Sequence, residues 1–151
     1  MAKFNEEYRG ELEVNKNISS SLEDYLEALY LIYIEHKIVK AIDISRALNV
    51  SRASTTEALK KLAEKNLINY GRYGVISITN EGAIKAQEVI KKHNSLYNFF
   101  KSVLGASHTE AQDNACKIEH IVSKDILERI VAFTDYYSKN FGDDFKKKYF
   151  S

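Results

Sequence analysis

The chain has 151 residues, with 22 Lys and Arg against 21 Asp and Glu, six Gly, one Cys and no Pro. That length buries one core or two small ones. No apolar run approaches the ~20 residues of a membrane span, and the opening Met1-Ala2-Lys3-Phe4-Asn5-Glu6-Glu7-Tyr8 carries no hydrophobic signal segment. One cysteine cannot close an internal disulfide, so a reducing cytoplasm is expected, with the thiol open to metal.

Residues 1–20 are polar and weakly patterned, ending in Asn17-Ile18-Ser19-Ser20-Ser21, and read as an arm plus a helix cap. Leu22, Tyr25, Leu26, Leu29, Tyr30 and Tyr33 then recur at helical spacing, predicting a helix to about Glu35. A short helix over 41–48, a turn at Asn49-Val50 and an N-cap at Ser51 lead into a third helix reaching about Lys65. Its stripe of Thr55, Leu59 and Leu62 faces inward, leaving Ser51, Arg52, Ala53, Thr56, Glu57 and Lys60 outward. Asn66 is the stop. Strand-like runs at 67–70 and 75–79 flank Gly71-Arg72-Tyr73-Gly74, a hairpin. Helix, helix, reading helix and hairpin together make a winged helix.

The net charge of +1 divides unevenly. Residues 36–74 hold eight Lys and Arg against three Asp and Glu, a net +5, which leaves −4 elsewhere. Positive charge thus gathers on the segment that would meet phosphates; an ordinary solvated surface is the alternative.

Thr79 or Asn80 caps a long helix predicted over 81–103, with Gly105 beyond it. Thr109-Glu110-Ala111-Gln112 has capping-box spacing and should open the next helix. Ser123 caps a last helix with the stripe Ile126, Ile130, Phe133 and Tyr137, ended by Gly142. The boundary between halves falls near Asn80.

Cys116, Glu119 and His120 stand at i, i+3 and i+4, so one helix would aim a thiolate, a carboxylate and an imidazole at one point. That is half the coordination sphere of a transition metal. His93 lies within the apolar stripe of the long helix and needs a partner. Asp24 and Glu27 stand one turn apart on the first helix. Taken singly, each has a plain alternative: a hydrogen-bonded core histidine, a first-turn acidic pair suited to the helix dipole, a small buried thiol.

Ser21-Leu22-Glu23-Asp24-Tyr25-Leu26-Glu27, the winged helix, the His93 helix and Cys116-Lys117-Ile118-Glu119-His120-Ile121-Val122-Ser123 resemble the diphtheria toxin repressor and manganese transport regulator family. The resemblance runs in order and at matching intervals over about residues 20–138. It implies a dimeric DNA-binding repressor with metal as co-repressor. Asp24 and Glu27 match the first-helix carboxylate ligands of manganese-type members, His93 the long-helix histidine, and Glu119 and His120 ligands shared across the family. Cys116 stands where manganese-type members have glutamate and iron-type members cysteine, while iron-type members have methionine in place of Asp24. The site is a hybrid.

Iron-type members also hold an ancillary ion at positions that are Tyr97 and Gln112 here, so that second site is not expected in its usual form. No stretch matches the SH3-like domain of the longer members. By family position, Ser51, Ala53 and Glu57 are expected near base edges. Arg52, Lys60 and Lys61 are assigned to phosphates and Arg72 to phosphate or the minor groove, and Lys40 and Thr56 complete the expected DNA-binding set. Glu57 has the alternative of a surface pair with Lys61 at i+4.

The expectation is a mainly α chain: an arm (1–20), a winged helix-turn-helix domain (21–80) and an all-helical metal-binding and dimerisation domain (81–151). Its function is metal-dependent repression through a palindromic operator on double-stranded DNA, in control of metal homeostasis. Iron(II) is favoured, manganese(II) comes next, and cobalt(II), nickel(II) or zinc(II) serve as surrogates. A homodimer is expected, with no membrane, no small organic substrate and no enzymatic activity. The rivals are a winged-helix regulator with a non-metal effector, a thiol redox sensor and, more distantly, a metallohydrolase.

Overall fold

The computed structural model describes residues 17–142 and 144–150. In chain order these form α1 (Ser20–His36), α2 (Ala41–Leu48), α3 (Arg52–Glu64), β1 (Ile68–Tyr70), β2 (Ile76–Ile78), α4 (Asn80–Asn98), α5 (His108–Ile118), α6 (Lys124–Asn140) and α7 (Asp144–Tyr149). The fold is mainly helical with one small sheet, as the residue pattern predicts. No helix among the described residues is long and apolar enough to cross a membrane.

Four helices begin in the same way. Ser19, Ser51, Ser107 and Ser123 hold extended backbone, and each hydroxyl accepts from the N–H three residues on: Leu22, Ser54, Glu110 and Ile126. Each satisfies one of the amide donors that a helix start leaves without a partner. Thr79 does the same for Gly82 N–H, at 3.0 Å, ahead of α4. The ends rely on left-handed residues: Lys37, Asn49 and Asn66 have φ of 63°, 53° and 56°.

Two corrections concern the helices of the C-terminal half. The capping box opening α5 is Ser107 with Glu110, two residues before the expected Thr109. The long helix does not run unbroken to residue 103, because Phe99–Val103 form a π-helical turn. Residues 1–16 of the proposed arm lie outside the described residues.

The chain divides into two compact units, one up to Lys85 and one from Ala86. In the first, α1, α2 and α3 pack on one another and close over Leu26, Leu29, Ile44, Leu59 and Leu62, all fully buried. Burial of each such side chain contributes about 1.5–3 kcal/mol. β1 and β2 pair antiparallel with Ile68 opposite Ile78 and Tyr70 opposite Ile76. Val39, between α1 and α2, adds a bridge to Ile76, a third edge to the wing that the sequence pattern does not announce. In the second unit the π-helical turn packs on α5 and α6. Ala86, Val89, Leu96, Ala111 and Ala115 are buried there, and α6 buries no residue.

Candidate metal centre

The second unit gathers its candidate metal ligands around one carboxylate. His93 projects from the buried stripe of α4, between Val89 and Leu96, and is 8% exposed. Glu119 follows the last residue of α5 with helical φ and ψ (−55°, −30°) and is 2% exposed. Its Oε2 lies 2.7 Å from His93 Nδ1, and its Oε1 lies 3.3 Å from His120 Nε2. Cys116 Sγ approaches the same His93 Nδ1 at 3.7 Å.

The helix carrying this cluster is shorter than expected. It ends at Ile118, and residues 119–121 form a turn in which Ile121 and Val122 N–H both donate to the Ile118 carbonyl. Cys116 and Glu119 keep their one-turn relation because Glu119 prolongs the helical path. His120 lies in that turn, and its imidazole Nε2 reaches Glu119 from there.

A carboxylate with almost no solvent is costly unless its charge is met. Here it is met from two sides by imidazoles, with a thiol beside one of them. Ligand atoms held about 2.0–2.3 Å from one ion stand roughly 3–4 Å from each other. The approaches run in a chain, Cys116 Sγ to His93 Nδ1 at 3.7 Å, His93 Nδ1 to Glu119 Oε2 at 2.7 Å and Glu119 Oε1 to His120 Nε2 at 3.3 Å, with Glu119 as the shared carboxylate. Nitrogen, oxygen and sulfur donors in one pocket fit a divalent first-row transition ion better than calcium or magnesium, which call for oxygen alone.

In the first unit, Asp24 and Glu27 stand one turn apart on α1 among the buried Leu22, Tyr25, Leu26, Ala28 and Leu29. The preceding residue is tethered: Glu23 Oε1 lies 3.4 Å from Lys85 Nζ, with both side chains only 12–14% exposed. That ion pair joins the first turn of α1 to the start of α4. Spacing does not reveal it, since 62 residues separate the partners. Another contact outside the sequence reading joins Tyr97 Oη to His108 Nδ1 at 2.9 Å, while Gln112 is exposed.

Lys40, Ser51, Arg52, Ala53, Glu57, Lys60, Lys61 and Arg72 are all exposed, and Thr56 is half-buried. Several already have work to do. Ser51 caps α3 and shares a 2.8 Å hydrogen bond with Ser54 Oγ, and Thr56 Oγ1 donates to the Arg52 carbonyl. Lys61 Nζ donates to Glu57 at 2.7 Å. That hydrogen bond, with the lysine charge behind it, holds the Glu57 carboxyl below its ordinary value.

Known proteins resemble this chain in sequence and fold. Two family models match the chain: iron dependent repressor, N-terminal DNA binding domain, over residues 17–76, and iron dependent repressor, metal binding and dimerisation domain, over residues 79–143. An uncharacterized HTH-type transcriptional regulator of Methanocaldococcus jannaschii is 34% identical over 121 residues, covering 80% of this chain and 97% of its own. The HTH-type transcriptional regulator MntR of Shouchella clausii is 31% identical over 120 residues, covering 80% and 83%. Among solved structures, the manganese regulator SloR superposes with a TM-score of 0.69 at 27% identity, covering 76% of this chain and 54% of its own. A manganese-dependent transcriptional repressor in complex with manganese gives 0.68 at 26%, covering 76% and 53%. The chain spans about half the length of these two structures.

Proposed function

The chain belongs to the iron-dependent repressor family of metal-dependent transcriptional repressors, and we propose that it is a homodimeric repressor whose co-repressor is iron(II), with manganese(II) next. The observation that carries this reading is the buried Glu119 carboxylate between the His93 and His120 imidazoles, with the Cys116 thiol alongside. His93, Cys116, Glu119 and His120 would hold the ion from the second unit. Asp24 and Glu27, which match the family's first-helix carboxylates, would hold it from α1. When bound, a divalent ion supplies two positive charges and fixed coordination directions. The thiolate favours iron(II), cobalt(II), nickel(II) and zinc(II) over manganese(II), while the carboxylates suit iron(II) and manganese(II) alike.

The residues then do the mechanical work. α1 packs on α2 and α3, so ligation through Asp24 and Glu27 would fix the reading helix together with α1. Ile126, Phe133 and Tyr136 of α6 are 50–56% exposed, an apolar stripe that a second copy of the chain would cover. In such a two-fold dimer the spacing of the two α3 helices decides whether both reach half-sites about 34–36 Å apart on a palindromic operator. Linkage makes the effect reciprocal, so operator DNA tightens metal binding by the same factor. Control of metal homeostasis follows from repression that depends on free metal. A thiol redox sensor is the second reading, favoured by the exposure of Cys116.

The test is an anaerobic fluorescence-anisotropy titration with duplex from the chain's own promoter, run with chelator, iron(II), manganese(II) and zinc(II) in parallel. Binding that needs metal and is tightest with iron supports the reading; equal binding by apo and loaded protein ends it. Release from DNA by peroxide without metal would favour the redox reading.

A further inference from the structure

The first turns of α1 carry three carboxylates in five residues: Glu23, Asp24 and Glu27. The metal reading uses Asp24 and Glu27 and leaves Glu23 without a task. Helical spacing sets Glu23 and Glu27 on one face, where like charges repel. An acid in the first turn of a helix suits the dipole, and for that it can stay in water. Glu23 does not. Its side chain is 12% exposed and drawn against Lys85 of α4, itself 14% exposed, with Oε1 and Nζ 3.4 Å apart.

The lysine stands on a firm base. Three residues before it, Gly82 brings α4 so close to the Leu67 carbonyl that a Cβ would not fit. At the head of α4, Thr79 Oγ1 lies 2.9 Å from both the Asn66 and the Leu67 carbonyls. Glu23 belongs instead to a helix start, where its N–H donates to the Ser19 carbonyl at 3.0 Å and Leu22 N–H donates to the Ser19 hydroxyl at 3.3 Å. Taking two charges out of water returns little net stability, but the pair survives in only one relation of its two helices.

We infer that Lys85 is a positioning residue for the metal centre: by holding Glu23 it fixes the first turn of α1, and with it Asp24 and Glu27, before an ion binds. The inference rests on the reading of Asp24 and Glu27 as ligands and adds Glu23 and Lys85 to it. Charge alone predicts the opposite sign. An ammonium near the ligands repels a divalent ion, so removing it would tighten metal binding, whereas losing the position weakens it.

The experiment is anaerobic chelator competition with iron(II) and with manganese(II), well below the melting midpoint of every variant. Lys85→Met weakens binding of both ions on the order of tenfold, the lower end for residues that support a ligand. Lys85→Arg, which keeps charge and reach, restores it. The paired variant Glu23→Gln/Lys85→Met leaves no dehydrated charge unmatched and regains the melting temperature that Lys85→Met loses, yet binds metal no better than Lys85→Met. In the Asp24→Asn background the same lysine change has a smaller effect, because it acts through that ligand. In metal-free protein, amide hydrogen exchange at Glu23 quickens in Lys85→Met while that of Leu59 in α3 is unchanged. Lys85→Met that binds metal as tightly as wild type, or tighter, while Asp24→Asn binds weakly would overturn the positioning role and leave the metal centre intact. Asp24→Asn at wild-type affinity would overturn the ligand role of α1 and this inference together.

Discussion

His93 Nδ1 and Glu119 Oε2 lie 2.7 Å apart across 26 residues, joining the middle of α4 to the turn that follows α5. Glu119→Gln keeps the shape of the side chain and removes its charge. We expect a loss of metal affinity of at least about 100-fold, above the 10–100-fold typical of residues that only support a ligand. Anaerobic competition against a fluorescent chelator measures it. Glu119→Ala should instead destabilise the metal-free protein by about 1–3 kcal/mol, because it leaves a buried imidazole without its partner. If Glu119→Gln bound metal as wild type does, the carboxylate would be structural only.

We expect Cys116 to set the preference among metals rather than the stability of the unit. The residue is exposed, so Cys116→Glu should leave the thermal midpoint of metal-free protein within about 1 °C, as expected for a surface substitution. It replaces a soft donor by a hard one and should move relative affinity from iron(II) and zinc(II) toward manganese(II). Parallel chelator competitions with the three ions read the ratio. An unchanged ratio would remove the thiol from the coordination sphere.

Much of the fold was legible because its signals are local. The bounds of α2 follow from its apolar spacing and from Asn49, and Ser51 and Ser123 cap as their positions suggest. The capping box of α5 was misplaced because two candidates overlap: Ser107 with Glu110 and Thr109 with Gln112 both fit the spacing. Glu110 settles the choice, since its carboxylate accepts from Ser107 N–H at 2.9 Å. The π-helical turn at Phe99–Val103 and the Val39–Ile76 bridge carry no signature in one sequence. Helical spacing says which side chains share a face, and Cys116 with Glu119 obeyed it. It does not say which faces meet, so the short approach of Glu119 to His93 emerged only from packing.

That capping box yields a pH prediction. Hydrogen bonds from the Ser107 hydroxyl and then from its N–H hold the Glu110 carboxyl below the ordinary value of 4.5. A depressed folded pKa contributes stability that is present above the ordinary value and lost as pH falls through the folded one. The gap in melting temperature between wild type and Glu110→Gln should therefore be constant above about pH 5.5 and close progressively below the ordinary carboxylate range. Ser107→Ala should cost about 1 kcal/mol at neutral pH. A gap that widened on acidification would contradict the box.

Gly82 is a packing requirement in the first turn of α4. It is buried, and a Cβ there would be driven into the Leu67 backbone carbonyl and against Ile78. Backbone cannot swing aside as a flexible side chain does. Gly82→Ala should thus destabilise the first unit by about 3 kcal/mol or more, the upper range for overpacking, despite the better helix propensity of alanine. Chemical denaturation followed by circular dichroism checks this, and a stabilised variant would show that α4 and the wing can separate freely at that point.

Glu57 separates two roles for the outer face of α3. Lys61 already holds its carboxylate at 2.7 Å, and both side chains are exposed. We expect Glu57→Gln to release Lys61 to phosphate, so that affinity rises for promoter and scrambled duplex alike and the salt slope steepens by up to about one. Selection between base pairs should be unchanged, because a carboxylate occupied by lysine does not read cytosine. Loss of discrimination confined to a single C·G pair would reverse that assignment and make Glu57 an acceptor for the cytosine amino group.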